Sequence, residues 1–302
     1  MISFTARAVR LILRLYTYPY RKHHKSLSRS IKLKNKKYVP PKGYGYSIIS
    51  AGGVRVEMLS PPHPSGAVIH FHGGGHTAGM NSMYRAMAEK YSKLCGATVF
   101  SIDYKTGSNL VYPSVHDEAF KAYEYISRTL SDSPFAVAGD SFGANIMLSA
   151  CLKAREKGLP LPRAIVCISP FADMSASGDS YRINCHNDPL YALPRNQSFE
   201  EHEKYIRRVS PYCGNTPPKD KFLSPAFADL NGFPDMLIIC GALETSASDA
   251  YIIYNNACAA EVNARLGVYE GMWHDFMYLF PQLKESKKSW NDIAQFIRHH
   301  IE

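Results

Sequence analysis

Residues 139–143 read Gly-Asp-Ser-Phe-Gly, a serine between two glycines where one hydrophobic period gives way to another. The apolar run Phe135, Ala136, Val137 and Ala138 reads as a buried strand, and Ala144, Ile146, Met147 and Leu148 begin a helical pattern at once. Glycines are required where strand and helix backbones approach this closely, and the sharp turn leaves Ser141 on a strained corner with its hydroxyl exposed. Read alone, the five residues are either a nucleophile elbow or an ordinary turn with a capping serine. A serine hydroxyl is a weak nucleophile. Acyl transfer therefore needs an imidazole base, a carboxylate to hold that base in one tautomer, and N–H donors for the developing oxyanion.

Candidates for all three parts lie at strand ends. Of twelve histidines, His274 alone falls in a loop just after a strand, downstream of both Ser141 and a candidate acid. The acid is expected from the loop after the apolar run 236–241, which offers Glu244. Asp249 competes, but about a turn into the next helix a carboxylate is more simply a first-turn charge favoured by the helix dipole. Oxyanion donors are expected from His72-Gly73-Gly74-Gly75, whose side-chain-free backbone can aim its amides into a site, with the N–H of Phe142 across from them. His72 reads as a residue that orients this loop, and Asp140 as a structural hydrogen-bonding group beside the nucleophile.

The elements that must position these residues alternate along the chain. Strands at 46–49 and 54–59 pair across Gly52-Gly53, and strands follow at 67–71, 97–102, 135–138, 164–168, 236–239 and 265–269. Helical patterns at 83–94, 114–130, 141–157, 246–262 and 284–299 fall between and after them. Such alternation implies a mostly parallel sheet covered on both faces, with ligands beyond the carboxyl ends of its strands. A Pro-rich polar insertion at about 170–234 carries no clear period.

Hydrophobic content of 45% over 302 residues is that of a folded globular chain. The seven cysteines are scattered, without a Cys-x-x-Cys pair, and read as free thiols rather than a disulfide framework or zinc site. The net charge of +9 is unevenly placed: residues 1–42 hold twelve of the 35 cations and none of the 26 acids, so the rest carries 23 cations against 26 acids. The body thus has no basic surplus and no nucleic-acid motif, and a nucleic-acid partner is not expected.

Within the arm, Arg7, Arg10 and Arg14 share one face of a helical pattern over 2–18, and Val9, Ile12, Leu13 and Tyr16 share another, with a stop expected at Pro19. Its longest apolar run, 11–13, is far below the ~20 residues that span a bilayer. Three roles remain open: a cap over the site, an interfacial helix on anionic lipid, or a targeting peptide. Cytoplasmic, membrane-peripheral and organelle-targeted locations stay open with them.

Residues 43–302 resemble the hormone-sensitive-lipase-like branch of the α/β-hydrolase fold. The resemblance rests on His-Gly-Gly-Gly at 72–75, Gly-Asp-Ser-x-Gly at 139–143, Ser-Pro-Phe-Ala-Asp-Met at 169–174 with Ser-Gly-Asp-Ser-Tyr at 177–181, Leu-Ser-Pro-Ala-Phe-Ala-Asp-Leu at 223–230, and Gly-Met-Trp-His at 271–274. It implies carboxylic ester hydrolysis without cofactor or metal, a small-molecule ester substrate, and a helical cap built from residues 1–42 and the 170–234 insertion. It also favours Glu244, since some members carry Glu where others carry Asp. Phe142 departs from the small residue usual after the nucleophile, so its ring is expected to narrow the site or reshape the acyl pocket. His76 and Tyr104-Lys105-Thr106-Gly107 also depart from the usual pattern. The expected function is a serine carboxylesterase with the triad Ser141, Glu244 and His274, acting on short- to medium-chain acyl esters. Alternatives are a membrane-surface lipid-ester hydrolase, a lactonase or amidase, or a non-catalytic binding protein on the same fold.

Overall fold

In the computed structural model, residues 2–22, 38–191, 193, 196–200 and 211–302 are described. Much of the basic run after the first helix, 23–37, and parts of the 170–234 insertion lie outside them.

The frame is an eight-stranded sheet made of β1 (Gly45–Ala51), β2 (Val54–Ser60), β3 (Gly66–Phe71), β4 (Ala97–Ile102), β5 (Phe135–Asp140), β6 (Ala164–Ile168), β7 (Asp235–Gly241) and β8 (Ala264–Tyr269). The spatial order is β1-β2-β4-β3-β5-β6-β7-β8. The first two strands form an antiparallel hairpin, β2 runs antiparallel to β4, and every pair from β4 through β8 is parallel. The chain steps outward from β3 to β4 and then returns to the other side of β3 with β5. The crevice beyond the ends of β3 and β5 is thus the switch point where ligands of such sheets bind.

Helices cover both faces because the central strands are apolar on both. In β5, Phe135 and Val137 pack into one core layer while Ala136 and Ala138 pack into the other. The first layer is closed by α3 (Ser114–Thr129), α4 (Phe142–Glu156) and α6 (Ala247–Ala259). The second is closed by α2 (Ser82–Cys95) and α8 (Lys284–Ile301), with Trp290, Ile293 and Ile297 turned inward. Between β6 and β7 lies the long excursion carrying the short helix α5 (Ser180–Ile183), and α7 (Phe276–Leu279) follows β8.

The first helix, α1 (Phe4–Lys22), runs through Pro19 rather than stopping there. Pro19 supplies no N–H to the helix ladder, and the helix ends within three residues of it. Ser3 caps its start, accepting from the Ala6 amide at 3.2 Å, while its own N–H and hydroxyl donate to Glu285 at 2.7 and 3.0 Å. Ala6 is buried in the second core layer, and Ile2, Val9 and Leu13 pack against it.

Candidate active site

Strand register gathers the singled-out residues at one rim. Phe71 pairs with Gly139, Asp140 with Ile168, Ile168 with Ile239 and Gly241 with Tyr269. The segments at 72–75, 141–143, 169, 242–244 and 270–275 therefore all leave the sheet along the same edge.

The turn at Ser141 requires the glycines around it. A Cβ on Gly143 would collide with the carbonyl oxygens of Phe71 and His72, and one on Gly139 would lie 2.8 Å from the Gly143 carbonyl. Ser141 itself adopts φ 51° and ψ −123°, an unfavourable conformation for a residue with a side chain. Its backbone is pinned on both sides: its N–H donates to the Ile168 carbonyl at 2.9 Å, and its carbonyl accepts from Phe171 at 3.1 Å.

From the Ser141 hydroxyl a line of hydrogen bonds runs inward. Oγ lies 2.9 Å from His274 Nε2, and His274 Nδ1 lies 3.1 Å from Glu244 Oε2. A carboxylate only accepts, so Glu244 favours a proton on Nδ1, while Nε2 faces the Ser141 hydroxyl. Glu244 is fully buried, with Oε1 accepting from the Gly241 amide at 2.5 Å and the Ser169 hydroxyl at 2.8 Å. The side chain of Asn184 ties the turn that carries it, donating to the carbonyls of Ala242 and Glu244.

Asp249, the competing acid, lies elsewhere. Its Oδ2 accepts from the amides of Ala172 and Asp173 at 2.7 and 2.9 Å and from the Tyr181 hydroxyl at 3.2 Å, so it anchors the segment after β6. Asp140 accepts from the Gly73 N–H at 3.0 Å and the Tyr84 hydroxyl at 3.4 Å. The Gly73 amide, expected among the oxyanion donors, is thus bonded to Asp140 in this structure. A Cβ at Gly73 would strike that same Asp140 carboxylate. The amides of Gly74, Gly75 and Phe142 make no hydrogen bond to the described residues. His72 stacks on Tyr104, with ring centroids 4.1 Å apart, and its Nδ1 meets the Gly73 carbonyl at 2.8 Å, so it holds the glycine loop from below. Burial pulls its pKa down to about 4, which keeps the ring neutral.

The Phe142 ring does not stand in the mouth of the site. It is 1% exposed and packs edge-on against His116 and Tyr212, at 5.7 and 5.4 Å between centroids. His116 bridges the Tyr212 hydroxyl and Asn145 on α4, so the large side chain is absorbed by a bonded aromatic cluster behind the nucleophile.

Asp275, Asp188 and Ser169 have roles that the sequence reading did not assign. Asp275 Oδ2 lies 3.3 Å from His274 Nε2, the same nitrogen that faces Ser141. Asp188 is buried, with Oδ1 held by the amides of Leu190 and Tyr191. Burial pulls the His274 imidazole down, but Asp275, Glu244 and Asp188 outweigh it and hold it at about 10. Burial in turn pushes Asp275 up to about 7 and Asp188 to about 6, and Asp140, facing Asp275, is raised well above the carboxylate range. Ser169 joins the two halves, donating to Glu244 and accepting from the Asp275 amide at 3.1 Å. Its position as the first residue after the apolar run of β6 was the available signal, and its φ of 45° emerges only in the structure.

The sequence of residues 68–278 matches a family described as the alpha/beta hydrolase fold. An esterase from Acinetobacter venetianus is 27% identical over 250 residues, covering 82% of this chain and 80% of that protein. An acetyl-hydrolase from Streptomyces hygroscopicus is 26% identical over 254 residues, covering 83% and 82%. Among solved structures, an esterase from the bacterial hormone-sensitive lipase family superposes with a TM-score of 0.80 at 27% identity, over 100% of both chains. With the sheet order, the elbow and the match over more than half its length in agreement, the chain belongs to the α/β-hydrolase fold family, in its hormone-sensitive-lipase-like branch of carboxylic ester hydrolases.

Proposed function

We propose that this carboxylic ester hydrolase cleaves short- to medium-chain acyl esters through Ser141, His274 and Glu244. The observation that carries the reading is the unbroken line from the Ser141 hydroxyl through both imidazole nitrogens to a buried carboxylate, at 2.9 and 3.1 Å.

In the acylation step Ser141 Oγ attacks the ester carbonyl and its proton passes to His274 Nε2. The negative charge on the carbonyl oxygen is taken up by the amides of Gly74, Gly75 and Phe142, each such donor contributing about 3 kcal/mol to the transition state. The imidazolium, stabilised by Glu244, then returns the proton to the leaving alkoxide, and the alcohol departs. Water repeats the sequence on the acyl-serine and releases the acid. Gly73 and Asp140 hold the glycine loop against the elbow without touching the substrate.

The preference for short acyl groups follows the acetyl-hydrolase among the relatives. A cap from residues 1–42 and the 170–234 insertion is supported by Arg10 on α1, which donates to the Gly271 carbonyl in the loop leading to His274. It is also supported by Tyr191, whose ring stands edge-on to His274 at 5.0 Å. Replacement Ser141→Ala tests the assignment. The expected result is loss of p-nitrophenyl butyrate hydrolysis by about 10^4-fold or more at an unchanged circular dichroism spectrum. Turnover retained by Ser141→Ala would refute it. A panel of p-nitrophenyl esters from acetate to palmitate tests the acyl range, which fails if palmitate is the best substrate.

A further inference from the structure

The two faces of α1 are built differently. The inner face is fixed to the body by Ser3 on Glu285, Arg10 on Gly271, Arg14 on the His186 carbonyl at 3.1 Å and the buried Thr17 hydroxyl on the Pro189 carbonyl at 2.5 Å. The outer face presents Phe4 at 86% exposure, Leu11 at 62%, Ile12 at 65% and Leu15 at 69%. At 100° per residue Phe4, Leu11 and Leu15 fall within a narrow arc, and Ile12 widens it on one side. The exposed Arg7 lies on its other border, with the half-buried Arg10 and Arg14 beyond it reaching toward the body. A helix held this firmly, yet carrying three of its large aliphatic side chains and a phenylalanine outward, has a second surface to satisfy.

We propose that the outer face of α1 is a docking surface for an anionic lipid bilayer. Charge selects this occupant. All twelve ionised side chains of residues 1–42 are cationic, and the run that follows the helix in sequence continues the same sign. Anionic headgroups complement that charge while the acyl boundary takes up the leucines, the division of labour of an interfacial helix. Residues 23–37 of the chain itself carry six cations, no acid and only three aliphatic residues, so they complement neither the arginines nor the apolar arc. No helix among the described residues is long and apolar enough to cross a membrane, which makes the contact peripheral. The inner face of α1 touches both the loop that leads to His274 and the 186–189 segment. A bilayer on the outer face therefore lies about one helix diameter, ~10 Å, from residues bordering the candidate site. The proposal concerns binding and stands independently of the catalytic assignment.

The test is flotation of the full chain with phosphatidylcholine vesicles, with and without about 30 mol% phosphatidylglycerol, at low and high salt. The expected result is binding at least about fivefold stronger to the anionic vesicles, weakened by salt because exposed charges are screened beyond about 8 Å. The variant Leu11→Gln/Leu15→Gln is expected to lose binding by about tenfold or more while hydrolysing soluble p-nitrophenyl butyrate as the parent does. Arg7→Gln should weaken binding to anionic vesicles only. No binding at low salt, or binding undiminished in Leu11→Gln/Leu15→Gln, would overturn the proposal. So would a dimer in light scattering that this variant dissociates, since a second copy would then occupy the face.

Discussion

Two acids compete for the proton on His274. Glu244 sits behind the imidazole on Nδ1, where a carboxylate stabilises the charge that forms during the reaction. Asp275 sits 3.3 Å from Nε2 and stabilises the same charge in the resting enzyme, where it is a hindrance. A general base works in its neutral form, and a histidine held at about 10 by Asp275 and Glu244 against burial gains that form only as pH rises. The kcat/KM for a neutral ester is therefore expected to climb on the alkaline side of neutrality. In Asp275→Asn, where one raising charge is gone, the climb should move to lower pH; an unchanged profile would show that Asp275 does not govern the imidazole. Glu244→Gln should lower kcat by about 10^4-fold, because an amide can favour the wrong tautomer. That Ser141, His274 and Glu244 meet at one rim was legible in the sequence, because their order along the chain and their places after strands restrict the choice. Asp275 was not, since the residue beside a catalytic candidate reads as loop until its left-handed backbone, φ 52°, turns the carboxylate back on the ring.

At the scale of elements, the elbow depends on how closely α4 crosses the end of β3. Gly143→Ala places a methyl group against the carbonyls of Phe71 and His72, two backbone atoms with little room to yield. Overpacking of this kind costs about 1–3 kcal/mol, so the melting temperature should fall by a few degrees. Esterase activity should fall further than stability, because the displaced carbonyls lead directly into Gly73 and Gly74. A variant with parental melting and turnover would mean that the loop moves freely. The strands and long helices were readable because apolar residues on both faces of β5 and β6, or at helical spacing in α8, leave one way to bury them. The segment between β6 and β7 was not, because side chains gripping backbone amides hold it in place of a hydrophobic period. Asp173 accepts from Ser175 and Ser177, Asp220 from Phe222 and Leu223, and Asp249 from Ala172 and Asp173. The sequence pattern stops α1 at Pro19, whereas the helix runs on to Lys22; contacts with the body fix it as far as Thr17.

Across the whole molecule, burial separates the thiols as the scattered cysteines suggested. Six of the seven cysteines are buried and Cys258 is exposed. Burial raises Cys95 and Cys151 to about 12, leaving them neither accessible nor ionised near neutral pH. Reaction with dithionitrobenzoate should therefore show one fast thiol in the native protein and seven after unfolding. Several fast thiols in the native state would contradict the packing of both core layers. Those layers support the rim where the loops after β3, β5, β6, β7 and β8 converge, and the chemistry rests on that convergence. Its most direct test is mass mapping of the protein treated with a fluorophosphonate, which reacts preferentially with an activated serine. One adduct is expected, on the peptide containing Ser141, and its rate should collapse in His274→Ala. An adduct on another residue, or labelling of Ser141 at the parental rate in His274→Ala, would contradict the assignment.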